Sequence, residues 1–391
     1  MSGYWSNSTR YGWLLTFTAI LLLLAPACSN DQTGTGEFAN GANGNDDDSD
    51  TWSFEEDTEQ ASPDAEEQSD ATSNGDDATA NGDDDTANGD DDAGNGSEQP
   101  GEVYVGTGDP YAPGSLAVER VSIDDAPTDL LVITPAEDGA YPVVVFQHGF
   151  LMANTHYGDL LDHVASHGFV VVAPQMYEPG GWPIGKPSTE EETDLAGQVY
   201  DWLEANLDAA LDVEARTDLM GLAGHSRGAK VIWWSLRDDP RDVGAVAGVD
   251  PVDGTGGPLG GEPRILDNPP TIEVPKLLIG TGLGPVEPNL LQPACAPEGD
   301  NYEDFYAAAT TPTWEVVAPD YGHNDMLDDD PSGCGEECDI CPAGDARQPM
   351  RTLTAGMLVA LYRAALQGDD DALDILSDHA AAPVTIETRS K

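Results

Sequence analysis

From residue 102 onward the chain alternates two patterns. Residues 142–147 (PVVVFQ) and 169–174 (FVVVAP) are near-continuous apolar runs, and residues 243–249 (VGAVAGV), 276–280 (KLLIG) and 313–318 (TWEVVA) resemble them. A strand with one wet face alternates apolar and polar residues. These runs do not, so they predict strands buried on both faces. Between and after them, residues 159–165, 188–207 and 350–366 repeat apolar side chains at three- and four-residue intervals, the spacing of one helix face. Ser188 with Glu191 makes a capping box at the head of the second helix, followed by Leu195, Val199, Trp202, Leu203 and Asn206 at helical spacing. Leu353, Met357, Leu358 and Leu361 line one face of the third, and Gly368 stops it. Strands alternating with helices predict an α/β fold, a mostly parallel central sheet with helices on both faces, over residues 102–391. In such sheets, sites gather past the carboxyl ends of the strands.

The first hundred residues follow neither pattern. Residues 29–101 are Asp, Glu, Asn, Gly, Ser, Thr and Ala with few apolar side chains. NGDDATA, NGDDDTA and NGDDD recur from Asn74 to Asp92 with no apolar seam. Such a segment buries too little to offset chain entropy, and its self-repulsion favours an extended, disordered acidic spacer. Its Asp runs lack the ordered ligand loop of an EF-hand. Residues 1–28 read as an export signal. Arg10 supplies positive charge, and residues 13–25 (WLLTFTAILLLLA) form an apolar run too short for a comfortable bilayer span. It ends at Ala25-Pro26-Ala27-Cys28, which resembles a bacterial lipoprotein signal with its leucine one place further upstream, at Leu24. Cys28 is the lipidation candidate; the alternatives are a signal that is simply cleaved and a retained anchor. The expectation is an exported bacterial protein, an outer-membrane or cell-surface lipoprotein or a secreted one, touching a membrane only through that lipid. The formal net charge of −58, from 73 acidic and 15 basic residues, with no Lys or Arg between Arg10 and Arg120, excludes nucleic acid as a partner.

The chemistry centres on residues 217–230, TDLMGLAGHSRGAK. A short apolar run leads into Gly224-His225-Ser226-Arg227-Gly228, and a helical pattern follows. Strand, sharp turn and helix with serine at the tip is the nucleophile-elbow pattern. Ser226 is then the nucleophile. It needs a base, an acid to orient the base, and N–H donors for an oxyanion. His323 follows the last strand, where the base belongs. The loop after residues 276–280 offers only Glu287 as the acid, whereas Asp250 directly ends the strand before it. Asp250 is therefore the acid, and Asp253 reads as a turn residue before Gly254. The backbone N–H groups of Phe150 and Arg227 are the oxyanion candidates. His148 and His225 read as buttresses of the two loops. With no HExxH motif and no ligand spacing among His148, His156, His163 and His225, neither a metal nor a cofactor is expected. Phe150, Leu151 and Met152, with Trp182 in the covering loop EPGGWPIGKP, suggest an apolar pocket for a small hydrophobic ester. Trp233 and Trp234 are divided between core and groove. Cys295, Cys334, Cys338 and Cys341 are an even set in an exported chain and predict two disulfides, the alternative being a four-thiolate zinc site.

Several separated stretches together resemble one family. They are YPVVVFQHGF with HVASHGFVVVAPQ, GHSRGAK, GVDPVDGTG, IGTGLGP with PACAP and EDFY, and YGHNDMLDDD. Across residues 142–330 the chain is similar to the chlorophyllases, serine esterases of the α/β-hydrolase fold. That resemblance implies a triad on Ser226, Asp250 and His323, the same three residues. The chain departs from the family at Ala229, where a further glycine is usual, and in its acidic spacer and lipoprotein-like start. These departures leave the substrate open between a chlorophyll-like ester, a polyester as for cutinases, and a short-chain lipid acyl ester. The rival of another class is a non-catalytic surface-binding lipoprotein that keeps the hydrolase fold.

Overall fold

The computed structural model describes residues 100–181, 185–254, 263–289 and 292–391. The leader, Cys28, the acidic spacer to residue 99, and Trp182 all lie outside the described residues.

The continuous apolar runs are central strands, as expected. They are β3 (Ala140–Gln147), β4 (Val170–Pro174), β5 (Glu214–His225), β6 (Ala245–Val249), β7 (Lys276–Thr281) and β8 (Thr313–Ala318), all mutually parallel. Three further strands were not read from the sequence: β1 (Val118–Val121), β2 (Leu130–Pro135) and β9 (Glu387–Ser390). They add antiparallel edges, giving the order β1-β2-β4-β3-β5-β6-β7-β8-β9.

Period-two side chains explain why the runs are apolar throughout. Val143, Val145, Val170, Val172, Leu222 and Leu278 pack on one face with α2 (Thr189–Asn206), α3 (Arg227–Asp238) and α4 (Tyr302–Ala308). Val144, Phe146, Val171, Ala173, Ala223 and Ile279 pack on the other with α1 (Gly158–Ser166) and α5 (Arg347–Leu366). Each buried Val, Leu, Ile or Phe among them contributes about 1.5–3 kcal/mol of hydrophobic stabilisation, so the sheet is held from both sides. The expected capping box is present: the Ser188 side chain accepts from Glu191 N and the Glu191 carboxylate from Ser188 N. On the other face α5 lies close against β5. A Cβ on Gly221 would stand 2.4 Å from Cε1 of Tyr362, whose buried hydroxyl donates to the Leu222 carbonyl at 2.8 Å. Among the described residues no helix is long and apolar enough to cross a membrane. The strand order, the parallel centre and the helices on both faces make this an α/β-hydrolase fold.

Candidate active site

Ser226 occupies the single residue between β5 and α3, at φ 54° and ψ −122°. A non-glycine residue held there stores about 1–3 kcal/mol of backbone strain, which the surroundings must over-determine. They do so through three hydrogen bonds. Ser226 N donates to the Val249 carbonyl at 2.9 Å, and its own carbonyl accepts from Ala229 N at 3.1 Å and Val252 N at 3.2 Å. The flanking glycines admit the turn. A Cβ on Gly224 would meet Gly228 C at 2.5 Å, and one on Gly228 would meet the Gln147 carbonyl at 2.4 Å. The second contact lets the first turn of α3 approach the end of β3, and with it the loop that carries Phe150.

Asp250 directly follows β6 and is fully buried, also at a left-handed φ of 40°. Its Oδ1 accepts from Thr281 N at 3.0 Å, and its Oδ2 from Thr281 Oγ1 at 2.8 Å and His323 Nδ1 at 2.7 Å. His323 Nε2 lies 2.9 Å from Ser226 Oγ. An ionised carboxylate only accepts, so the His323 proton sits on Nδ1 and Nε2 is left to accept from the serine hydroxyl. Thr281 ends β7, the place where the acid most often stands in this fold. There it supplies the donors that hold a carboxylate arriving from β6. Ser226 is 7% exposed and His323 6%, so this chain of hydrogen bonds is largely shielded from water.

The loop bearing His323 is braced on both sides. Asp325 Oδ2 accepts from Gly322 N at 2.7 Å and Gly344 N at 2.8 Å, while Asn324 Nδ2 donates to the Glu337 carbonyl at 3.1 Å. The four cysteines pair as two disulfides, Cys295–Cys341 and Cys334–Cys338. Their pairing cannot be read from spacing. His156 Nδ1 and Met152 Sδ lie 3.9 Å and 3.8 Å from Cys338 Sγ.

Asp253 is not a turn residue. It is fully buried, and its carboxylate accepts from Ile265 N at 2.8 Å and Leu266 N at 3.0 Å and pairs with Lys230 at 3.4 Å. A buried carboxylate needs such partners, and these fasten residues 263–267 to the loop after β6. The side chains of the two residues that carry the oxyanion candidates stack on each other. The Arg227 guanidinium stands 5.0 Å from the Phe150 ring centre, its Nε donates to the buried Glu192 at 2.6 Å, and its Nη2 donates to the Pro187 carbonyl at 2.8 Å. Among the described residues the Phe150 N–H makes no hydrogen bond. Leu151 is half-buried at φ 66°, Met152 is buried, and Trp233 and Trp234 both belong to the core.

His148 and His225 are both fully enclosed. His148 Nε2 accepts from Met176 N at 3.0 Å and its Nδ1 donates to the Gly149 carbonyl at 2.9 Å. Burial disfavours the charged ring and pushes its pKa down to about 4. Sequence reasoning missed Thr281, Tyr157, Asp325 and Glu192. Each acquires its role by contact with residues 19 or more positions away, apart from the local Asp325–Gly322 bond.

The chlorophyllase family model matches residues 106–391. Chlorophyllase-2 of Arabidopsis thaliana is 39% identical over 276 residues, covering 67% of this chain and 85% of that protein. Chlorophyllase-1, chloroplastic, of Citrus unshiu is 37% identical over 295 residues, covering 71% and 87%. Chlorophyllase type 0 of Chenopodium album is 30% identical over 283 residues, covering 68% and 80%. The match extends beyond residues 142–330 in both directions, over the edge strands as well.

His148 makes stability depend on pH. Its folded pKa of about 4 lies below the ordinary value of 6.5, so the unfolded chain takes up the proton first. The stabilisation is full above about pH 6.5 and is lost as pH falls toward about 4. Between pH 7 and pH 5 this one ring removes about 2 kcal/mol from the urea-unfolding free energy. The His148→Gln variant is expected to lose less stability over that interval by about this amount; an unchanged pH slope contradicts the assignment.

Proposed function

Because the chain belongs to the chlorophyllase family of carboxylic ester hydrolases, we propose that it cleaves a hydrophobic ester by acyl transfer through Ser226. The observation that carries this reading is the unbroken relay of 2.9 Å from Ser226 Oγ to His323 and 2.7 Å from His323 to Asp250. Ser226 Oγ attacks the ester carbonyl carbon while its proton passes to His323 Nε2. The imidazolium so formed faces the Asp250 carboxylate, which Thr281 holds in place. The N–H groups of Phe150 and Arg227 receive the negative oxygen of the tetrahedral intermediate. The carbon–oxygen bond to the alcohol then breaks, and His323 returns the proton to the departing oxygen. Water, giving a proton to His323, attacks the acyl-enzyme and releases the acid, restoring the Ser226 hydroxyl. The step uses an ester and one water and needs no cofactor.

Because the relatives are named chlorophyllases, chlorophyll is the first substrate to test. The second reading, a polyester or short-chain lipid acyl hydrolase, is favoured by Ala229 at a family glycine and by the acidic, lipoprotein-like N-terminal region. A silent binding protein has no use for three residues held at hydrogen-bonding distance. We further propose that the chain is exported and lipidated at Cys28, on the small residues before that cysteine and the apolar run preceding it. Cells fed a labelled fatty acid should label the parent and not Cys28→Ser. Equal labelling of the two sinks the lipidation site.

The enzymatic test uses the full chain with p-nitrophenyl esters of graded chain length and with chlorophyll. Ser226→Ala should lower kcat by about four orders of magnitude or more. Asp250→Asn, which places an amide donor opposite Nδ1 and favours the wrong imidazole tautomer, should lower it by about 10³–10⁴. A parent without ester turnover refutes the esterase reading, and a Ser226→Ala variant as active as the parent refutes the nucleophile. Turnover of short esters with none of chlorophyll selects the second reading.

A further inference from the structure

One chain of buried hydrogen bonds connects the three loops of the site. Gly149 N donates to Tyr157 Oη at 3.0 Å, Tyr157 Oη bonds His225 Nδ1 at 2.8 Å, and His225 Nε2 bonds the His323 carbonyl at 2.9 Å. Every direction in it follows from the end groups. An amide N–H only donates, so Tyr157 Oη accepts from Gly149; the Tyr157 proton goes to His225 Nδ1 because a neutral ring whose Nε2 donates accepts at Nδ1. A carbonyl only accepts, so the His225 proton sits on Nε2. Tyr157 and His225 are both fully buried, and loss of hydration, followed by the nearby His323 ring, holds His225 well below its ordinary pKa, in the neutral form this pattern requires.

The chain ends where the chemistry would need it. Gly149 precedes Phe150, His225 precedes Ser226, and His323 is the base itself. Direct pairing fixes β3 against β5, but β8 lies three strands from β5. At about 4.8 Å per strand that separation is roughly 14 Å, so no ladder bond sets the position of His323 relative to Ser226. The oxyanion loop also rests on the chain: a Cβ on Gly149 would stand 2.7 Å from His225 Nδ1 and 3.3 Å from Tyr157 Oη.

We propose that Tyr157 and His225 are positioning residues that hold the oxyanion loop and the base loop in register with Ser226. The proposal rests on the ester-hydrolase reading of the site. The phenol oxygen of Tyr157 carries the link, and its ring packs on Phe146 with centres 4.9 Å apart, so Tyr157→Phe removes the link and keeps the packing.

In the full chain, with a p-nitrophenyl ester, Tyr157→Phe should lower kcat roughly ten- to hundred-fold, with KM within about two-fold of the parent. Because both residues act in one chain, the Tyr157→Phe, His225→Gln double variant should be no slower than the slower single variant. A kcat for Tyr157→Phe within about three-fold of the parent, a loss confined to KM, or additive losses in the double variant overturns the proposal. Histidine side-chain NMR of the parent tests the same chain without turnover. A neutral Nε2–H tautomer at His225 whose Nδ1 resonance moves in Tyr157→Phe is expected. An Nδ1–H tautomer, or an imidazolium at neutral pH, overturns it. If the parent turns over no ester while the NMR result holds, the hydrolase reading has failed and the hydrogen-bond chain has not.

Discussion

The backbone at Ser226 is the constraint on which the site depends. A serine between a buried strand and a helix must stand at positive φ to present its hydroxyl past the strand end, and it does so at φ 54°. Such a residue relaxes unless its neighbours prevent it. Here Val249, Val252 and Ala229 hold its peptide groups, and the glycines at 224 and 228 remove the side chains that would occupy the turn. The contact of Gly228 with the end of β3 brings the Phe150 loop to the elbow. The conformation that presents the hydroxyl to His323 therefore also draws in the loop that carries Phe150, one of the two oxyanion candidates.

The remaining groups are polar and enclosed, so each must be satisfied where it stands. Asp250 is fully buried and is met by Thr281 and His323. Asp253, three residues on, is equally buried and is spent on Lys230 and two backbone amides. The two carboxylates share a loop and differ in their neighbours, and that difference separates a candidate site residue from a fastening one. Asp325 and the two disulfides brace the base loop from its outer side, while the Tyr157–His225 chain reaches it from within.

The central sheet was readable because strands buried on both faces have no polar alternation to obscure them, and β3, β4, β6, β7 and β8 fall within a few residues of their apolar runs. The edge strands were not. VERV in β1 and ETRS in β9 are short and mostly exposed, and pairing rather than side-chain burial makes them strands. Ser226, Asp250 and His323 could be singled out as candidates because each directly follows a strand or stands in the loop after one. Asp253 was misread as a turn residue because Asp before Gly is the ordinary signature of an exposed turn, and sequence carries no sign of the buried Lys230 opposite. Thr281 and Tyr157 were invisible for a related reason: a threonine ending an apolar strand and a tyrosine before a helix are common, and only the fold brings them to Asp250 and His225.

Ser226 is proposed to be an activated nucleophile, made so by His323 beside it. Stoichiometric reaction of the full chain with a fluorophosphonate, followed by peptide mass spectrometry, measures this without knowledge of the natural ester. One adduct per chain on the peptide containing Ser226, forming far more slowly in His323→Gln, is the predicted result. Absence of an adduct, an adduct on another residue, or an unchanged rate in His323→Gln would contradict it.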